Sequence, residues 1–266
     1  MAMLREMGIR LWQRSPSVRP EVSKGRTESS LPSTGTGRTG PFDTSGRTGV
    51  GGASVQTGDT PLAARSSGIA TMDWPALRAA VADCTACTLC KSRRQTVFGV
   101  GHPRAHWMIV GEAPGEQEDI QGEPFVGNSG QLLDNMLRAI GLGRHETTPA
   151  DPARQVYIAN TLKCRPPGNR NPQPEELAQC EPFLIRQIEL VQPRIILAMG
   201  RFAVQSLLRS QEPIGRLRGR VHHYHGVPLI VTYHPAYLLR NLQDKARAWD
   251  DLCLARETAA GSNAAD

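Results

Sequence analysis

Six cysteines are the first residues in this chain that could do chemistry, at positions 84, 87, 90, 164, 180 and 253. Two residues separate Cys84 from Cys87 and fifteen separate Cys164 from Cys180, so four thiolates could hold one metal centre. Zinc and an iron–sulfur cluster both accept four cysteines, and the spacing does not distinguish them. Disulfides are the alternative, but a cytosolic chain of this size needs none.

Two further cysteines have to be placed relative to this predicted centre. Cys90 extends the first pair to C-x2-C-x2-C, which resembles part of a ferredoxin run. We favour Cys87 over Cys90 as the second ligand, because Cys90 begins the segment that leads to Val97. We expect Cys253, in the predicted last helix, to be a core residue.

A glycine-rich segment, GEAPGEQEDIQGEPFVGNSGQLL, occupies residues 111–133 directly after an apolar run at 107–110. A glycine turn after a short strand is typical of phosphate binding. This segment instead carries five carboxylates and has no Lys before a Ser or Thr. The carboxylates are Glu112, Glu116, Glu118, Asp119 and Glu123. Its negative charge therefore argues against a phosphate ligand.

The elements that must position these residues alternate between strands and helices. Apolar runs predict strands at 106–110, 155–160, 194–199 and 227–233. Amphipathic patterns predict helices at 74–82, 130–140, 174–191, 202–208 and 246–256. This alternation predicts a three-layer α/β/α fold with a central four-stranded parallel sheet. Ligands of such sheets bind beyond the carboxyl ends of the strands, which here end in GEAPGEQED, NTLKCRPPGN, MGRFA and HPAYLLRN.

Composition divides the 266 residues into one globular domain and two ends. Residues 1–71, rich in Gly, Ser, Thr and Pro, are predicted to form a disordered tail. Residues 72–258 form the predicted domain, and 259–266 a disordered C-terminus. Residues 1–70 contain nine Lys/Arg and five Asp/Glu, so most of the net charge of +6 lies there. The nearly balanced domain needs a local basic patch for any affinity for DNA.

Targeting signals do not stand out in the sequence. No apolar run approaches the roughly 20 residues that span a membrane, and the first residues lack the apolar stretch of a signal peptide. We therefore expect a cytoplasmic protein without membrane contact. We also expect it to be a monomer.

Four segments together resemble family 4 uracil-DNA glycosylases, the iron–sulfur branch of their superfamily. They are CTACTLCKSRRQTVFGVG (84–101), IVGEAPGEQEDIQGEPFVGNSGQLLD (109–134), YIANTLKCRPPGNRNPQPEELAQC (157–180) and HPAYLLRN (234–241). The resemblance covers about residues 73–257 in consistent order. It implies a four-stranded parallel sheet between helices, a [4Fe-4S] cluster on Cys84, Cys87, Cys164 and Cys180, and uracil-containing DNA as the partner. The implied reaction is hydrolysis of the N-glycosidic bond of deoxyuridine, which leaves an abasic site.

The resemblance also implies which residues contact a flipped, neutral uracil. Phe125 looks like the platform on which uracil stacks, and Asn160 resembles the residue that reads uracil N3–H and O4. Glu118 corresponds to the wall that excludes the methyl group of thymine. The small side chain of Ala113 lets backbone groups reach the base edge. Other branches place an Asp at this position, so their strongest water-activating carboxylate is absent here.

Catalysis and DNA contact are assigned by the same resemblance. Glu112 is the candidate for orienting water and stabilising a positive sugar, and His234 for stabilising the departing uracil anion. Leu238 and Leu239 form the expected apolar wedge, with Arg240 as its flanking cation. Further candidates for phosphate contacts are Lys163, Arg165, Arg170, Arg216, Arg218 and Arg220, of which the last three could equally be a solvated hairpin face.

Two alternative functions were weighed against uracil excision. A non-catalytic cysteine-metal module that binds nucleic acid during replication would need none of Glu112, Phe125, Asn160 and His234. A sister branch couples covalently to uracil-DNA through a histidine in an inserted basic loop. Here the stretch after Asn160 reads TLKCRPPGNRNPQP and has no histidine, which argues against that branch.

Overall fold

The computed structural model describes residues 62–145 and 150–262. Most of the predicted N-terminal tail, residues 1–61, lies outside the described residues, as do residues 263–266 of the predicted disordered C-terminus.

Within the described residues, a six-stranded mixed sheet lies at the centre of an α/β fold, in the order β1-β3-β2-β4-β6-β5. The strands are β1 (Val100–Gly101), β2 (Trp107–Gly111), β3 (Val156–Asn160), β4 (Ile195–Met199), β5 (Val221–Tyr224) and β6 (Val227–Thr232). The inner strands β3, β2, β4 and β6 pair in parallel and correspond to the four predicted strands. The edge strands β1 and β5 pair antiparallel with β3 and β6. Neither edge strand was predicted from the sequence.

Helices connect the strands and extend the fold at both ends. The described helices are α1 (Leu62–Ala70), α2 (Trp74–Ala82), α3 (Glu116–Gln121), α4 (Asn128–Ala139), α5 (Pro174–Val191), α6 (Arg201–Leu208), α7 (Ile214–Leu217), α8 (Pro235–Leu238) and α9 (Lys245–Ser262). Short 3₁₀ helices occupy Thr88–Lys91, Pro167–Asn169 and Leu242–Asp244. Helix α2 begins where predicted, because the Asp73 carboxylate accepts a hydrogen bond from the Ala76 N–H at 3.0 Å.

Alternate residues of the inner strands enter two different cores. Ile109 packs in a core with residues of α4 and α9, whereas Met108 packs in a core with residues of α5 and α6. Every residue of β2, β3 and β4 is buried, as expected for strands covered on both faces. These continuous apolar runs explain why the sequence predicted the inner strands correctly.

Parallel pairing brings the ends of the inner strands to one edge of the sheet. Gly111 at the end of β2 pairs with Asn160 at the end of β3, and Met199 of β4 pairs with Thr232 of β6. The segments that follow these residues are therefore neighbours, although up to 120 residues separate them along the chain.

The ordered structure extends past both predicted domain boundaries. Helix α1 lies within the predicted tail, yet Ile69 is buried and the Arg65 guanidinium donates to the Gln179 carbonyl of α5. Helix α9 continues to Ser262, and Ala259 contributes to the core. No helix among residues 62–145 and 150–262 is both long and apolar enough to cross a bilayer.

Candidate active site and cysteine centre

A cavity of about 360 Å³ opens where β2, β3 and β6 end. The residues that the sequence analysis assigned to base binding and catalysis all line it, namely Glu112, Ala113, Glu118, Phe125, Asn160 and His234. Arg170 and Arg240 line the same cavity. Its volume lies within the range of about 300–1,000 Å³ that is usual for pockets that bind small ligands.

Phe125 has an unusual backbone conformation that two glycines make possible. Its φ is 56°, a left-handed value that is uncommon outside glycine. A Cβ atom at Gly130 would collide with the Phe125 carbonyl, and one at Gly111 would lie 2.6 Å from Phe125 Cζ. The Phe125 ring stacks on the His234 imidazole, with ring centroids 5.3 Å apart and planes 27° apart. The glycines therefore allow an aromatic wall to form beside the predicted catalytic histidine.

The side chain of Asn160 ends in an unused acceptor. Asn160 is 2% exposed, and its Oδ1 atom is buried with no hydrogen-bond partner among the described residues. Leaving a buried polar atom unpaired costs about 1–3 kcal/mol, so native structures seldom contain one without a reason. This acceptor lies at the cavity, where a ligand N–H group could satisfy it.

His234 is held as a neutral imidazole. Its Nδ1 atom accepts a hydrogen bond from the Ala236 N–H at 3.2 Å, which places the ring proton on Nε2. Burial, with a smaller contribution from the nearby positive charge of Arg240, lowers the pKa of His234 to about 4. At neutral pH the ring therefore has a single remaining donor, Nε2–H.

Glu112 lies against the N-terminus of α6. Its carboxylate accepts hydrogen bonds from the backbone N–H groups of Phe202, at 3.2 Å, and Arg201. Burial raises the pKa of Glu112, and these two N–H groups oppose the shift. Gly200 has a φ of 93°, and a Cβ atom there would lie 2.5 Å from Glu112 Oε1. The contact with Gly200 and α6 was not evident from the sequence, because the two segments are far apart in it.

Glu118 fixes the loop that carries Phe125. One carboxylate oxygen accepts from the Gly115 N–H at 3.1 Å, and the other from the N–H groups of Val126 and Gly127 at 2.9 and 3.1 Å. Three backbone donors hold this buried carboxylate in place, so Glu118 presents a rigid wall to the cavity.

The structure corrects one member of the predicted wedge. Leu238 is fully buried and belongs to the core below the sheet edge, so it cannot contact DNA in this conformation. Leu239 is 42% exposed, and Arg240 is exposed as well. The two neighbouring leucines differ in exposure because only one face of the α8 segment packs on the core. Leu242, which was not predicted, is 62% exposed in the same segment.

Four predicted phosphate contacts have partners within the protein. Arg165 donates to Asn169 Oδ1 at 2.7 Å and lies 3.7 Å from a carboxylate oxygen of Glu116. Lys163 is fully buried, so its assignment to phosphate contact is wrong. Arg170 forms two hydrogen bonds to the buried Glu176 carboxylate, at 2.6 and 2.9 Å. Arg218 forms a salt bridge at 3.0 Å with Asp251, which is fully buried. Sequence alone could not reveal these partners, because a charged residue in a loop is usually solvated.

The four predicted cysteine ligands lie in one cluster next to the cavity. Cys164 and Cys180 are buried in it, and Cys84 and Cys87 pack against it. Burial is the main cause that raises the pKa of Cys164 to about 11 and that of Cys180 to about 12, and it is partly opposed by Arg93 at Cys164 and by Lys163 at Cys180. No three potential ligand side chains among residues 62–145 and 150–262 are grouped closely enough to hold a single metal ion.

Hydrogen-bond donors point at three of these sulfur atoms. Arg93 donates to Cys164 Sγ at 3.1 Å, and the backbone N–H of Lys163 donates to Cys180 Sγ at 3.2 Å. The Arg65 guanidinium lies 3.4 Å from Cys84 Sγ. Cationic and amide donors stabilise thiolates and tune the metal–sulfur sites that thiolates form. The surroundings of the cysteines therefore fit a thiolate-bound metal group.

The segment between Cys164 and Cys180 joins this cluster to the cavity. Pro166, Asn169, Asn171 and Pro172 line the cavity together with Arg170. These wall residues were not predicted from the sequence. The proline-rich segment between two predicted ligands could have indicated them, because a loop whose two ends are fixed at one centre can follow only a few paths.

Comparison with known proteins gives a consistent assignment. Residues 98–253 match the family model of the uracil DNA glycosylase superfamily. The chain is 42% identical over 167 residues to a type-4 uracil-DNA glycosylase of Archaeoglobus fulgidus, covering 60% of this chain and 79% of that protein. It is 42% identical over 169 residues to a type-4 enzyme of Thermotoga maritima, covering 63% and 83%. It is 39% identical over 193 residues to a type-4 enzyme of Pyrobaculum aerophilum, covering 69% and 93%. A match of this extent shows that the chain belongs to the uracil-DNA glycosylase superfamily.

Proposed function

We propose that this protein removes uracil from DNA by hydrolysing its N-glycosidic bond, leaving an abasic site for repair. The observation that carries the proposal is the buried, unpartnered Oδ1 atom of Asn160 in the cavity. Uracil N3–H can donate to this atom, and uracil O4 can accept from the amide nitrogen of the same side chain. The base reaches the cavity by leaving the stack of the DNA.

Two features reject the normal pyrimidines. Cytosine presents an acceptor at N3 and a donor at its amino group, so it would leave the groups of Asn160 unpaired at about 1–3 kcal/mol each. Thymine differs from uracil by one methyl group, and we propose that the wall at Glu118 excludes it. Steric exclusion discriminates well only if the wall is rigid, and three N–H donors make Glu118 rigid.

His234 supplies stabilisation to the leaving group. When the glycosidic bond breaks, its electron pair goes to uracil, and negative charge appears on O2 and O4. The Nε2–H group of a neutral His234 donates to O2 as that charge develops. Stacking on Phe125 keeps the imidazole in place. Because its pKa is about 4, the His234 ring is neutral near pH 7. It therefore donates a hydrogen bond from Nε2–H without transferring this proton to uracil.

Glu112 acts on the sugar. The deoxyribose becomes an oxocarbenium-like cation, which a nearby carboxylate stabilises while a water molecule adds to C1′. The N–H groups at the start of α6 fix the Glu112 carboxylate for this role. Ala113 contributes no carboxylate, so the reaction relies on a sugar cation that is well developed before water attacks.

DNA is held by the segment that follows His234. We propose that Leu239 enters the space vacated by uracil and that Arg240 contacts a neighbouring phosphate, since both side chains are exposed beside the cavity. Leu238 is no longer part of this wedge. Arg170 holds the cavity wall through Glu176, and its exposed face is left for a phosphate.

We propose that Cys84, Cys87, Cys164 and Cys180 hold a [4Fe-4S] cluster. When bound, such a cluster supplies metal–thiolate bonds that cross-link the N-terminal cysteine segment to both ends of the cavity wall. The proposal is supported by the packing of two buried and two half-buried thiols in one cluster and by the donors that point at three of their sulfur atoms.

We further propose a three-layer α/β/α arrangement, which the two cores on the faces of the sheet support. We also propose that the protein is a cytoplasmic monomer. A replication-associated binding module without catalysis remains the alternative, but it gives no reason for an aromatic wall, a neutral histidine and an unpaired amide in one cavity.

The test is excision by the purified, iron-replete chain on labelled oligonucleotides that contain U, T, hypoxanthine or C, with abasic sites cleaved by alkali. Strand breaks at U and none at T or C are expected. Asn160→Ala should abolish most of the breaks, whereas Asn135→Ala, a matched change on α4 outside the cavity, should not. Binding of all four oligonucleotides without strand breaks would favour the binding module.

A further inference from the structure

Lys163 is buried in a way that its sequence context does not suggest. Its side chain is 1% exposed and is among the largest of the fully buried side chains in the described part of the chain. No carboxylate of the described residues forms a salt bridge with it. Burying an ammonium group without such a partner costs free energy, so other interactions must offset this cost.

Two oxygen atoms accept hydrogen bonds from the Lys163 ammonium group. Nζ donates to the backbone carbonyl of Asn160 at 2.8 Å and to Gln187 Oε1 at 2.6 Å. Gln187 is itself fixed, because its amide nitrogen donates to the Phe98 carbonyl at 2.8 Å and to the Tyr157 hydroxyl at 3.2 Å. A rigid partner on α5 therefore holds the ammonium group against the backbone of the base-reading residue.

The backbone of Lys163 is tied to the cysteine centre. Its N–H group donates to Cys180 Sγ at 3.2 Å, and the next residue is Cys164. The segment from Asn160 to Cys164 thus has the proposed base reader at one end and a proposed ligand at the other. Lys163 is the residue within it that contacts both.

We propose that Lys163 is a positioning residue that sets the orientation of Asn160 relative to the cysteine centre. The hydrogen bond from Nζ fixes the Asn160 carbonyl at the end of β3, and the bond to Cys180 fixes Lys163 itself. Asn160 thereby presents its Oδ1 atom to the cavity without a hydrogen-bond partner among the described residues. This inference rests on the proposed function, since it assigns Asn160 to reading uracil.

The test uses Lys163→Met in the full, iron-loaded chain, because methionine has a similar length and no donor. Iron content and visible absorption should match the wild type, as no ligand is changed. Affinity for free uracil, measured by ligand-observed NMR, should fall about tenfold or more, because an Asn160 amide that is no longer held in place must be ordered on binding. Excision of uracil should fall by a similar factor, with unchanged affinity for DNA that lacks uracil.

Gln187→Met is the control for a purely structural role. It removes a buried hydrogen-bond partner of Lys163 and leaves the bond to Asn160, so it should lower the melting temperature and affect uracil affinity less than Lys163→Met. If Lys163→Met does not fold, Lys163→Gln provides the same measurement, with a smaller expected loss because its amide retains a donor.

Three outcomes are separable. Unchanged uracil affinity in the folded Lys163 variant would overturn the positioning role. Loss of iron in Lys163→Met would also overturn it, because the residue would then act on the centre itself. A wild-type chain that does not excise uracil would contradict the proposed function instead.

Discussion

Replacing His234 with alanine removes the donor that we propose for the leaving group. The Nδ1 atom accepts from the Ala236 N–H, so only Nε2–H is free to contact uracil O2. Removing one donor to developing charge in a dry site typically lowers the rate by roughly 10²–10³, about 2.7–4 kcal/mol of transition-state stabilisation. We expect His234→Ala to lose that much in the single-turnover rate.

Binding should change little, because the ground-state O2 atom carries little charge. The assay uses enzyme in excess over a uracil oligonucleotide, together with a separate binding measurement on an oligonucleotide that cannot be cleaved. His222→Ala is the matched control, since the His222 ring contacts the Leu217 carbonyl at 2.7 Å and does not line the cavity. Loss of affinity with an unchanged maximal rate would show that His234 positions DNA, and would refute the reasoning.

The pH dependence tests the protonation state of the same residue. With a pKa of about 4, His234 is neutral from weakly acidic to alkaline pH, so its titration should leave no step near pH 6.5 in the single-turnover rate. Its depressed pKa also means that the unfolded chain binds the proton more readily. Folding stability should therefore fall as the pH drops from about 6.5 to about 4, and less so in His234→Ala. A rate step at pH 6.5 that disappears in this variant would contradict the assignment.

Three other experiments test separate parts of the structure. Cys164→Ala should lose iron while Cys253→Ala retains it, which iron analysis and visible absorption measure. Leu239→Ala should lower excision from double-stranded DNA several-fold at unchanged melting temperature, whereas Leu238→Ala should cost about 2–5 kcal/mol in chemical denaturation, as buried Leu→Ala changes do. Gly111→Ala should reduce excision about tenfold or more in a folded protein, because its Cβ would lie 2.6 Å from the aromatic wall of the cavity.

Much of the fold could be predicted because its inner strands are continuous apolar runs. The edge strands were missed for a physical reason. Strand β1 has two residues, and β5 reads VHHY with alternating exposure, so neither carries an apolar run. Helix α1 was assigned to the tail because the surrounding composition is polar, although Ile69 docks it on the core.

Residues of the cavity could be identified from the sequence where a recognisable motif lies at the end of a strand. Asn160 ends strand β3 and His234 follows strand β6, and both lie in motifs that resemble a known family. The comparisons confirm the family membership. The assignments of Lys163 and Leu238 were wrong, because burial depends on contacts between distant segments. Two neighbouring leucines look alike in sequence, yet only Leu239 is exposed.

The central claim is that the amide of Asn160 reads the base, and Asn160→Asp tests it most directly. A protonated carboxyl group there offers cytosine the complementary donor and acceptor, whereas an ionised carboxylate has no donor for uracil O4. The measurement is the single-turnover rate of this variant on oligonucleotides that contain either U or C. We predict that uracil excision falls about tenfold or more and that weak cytosine excision appears. Uracil excision at the wild-type rate, with no cytosine excision, would contradict the account.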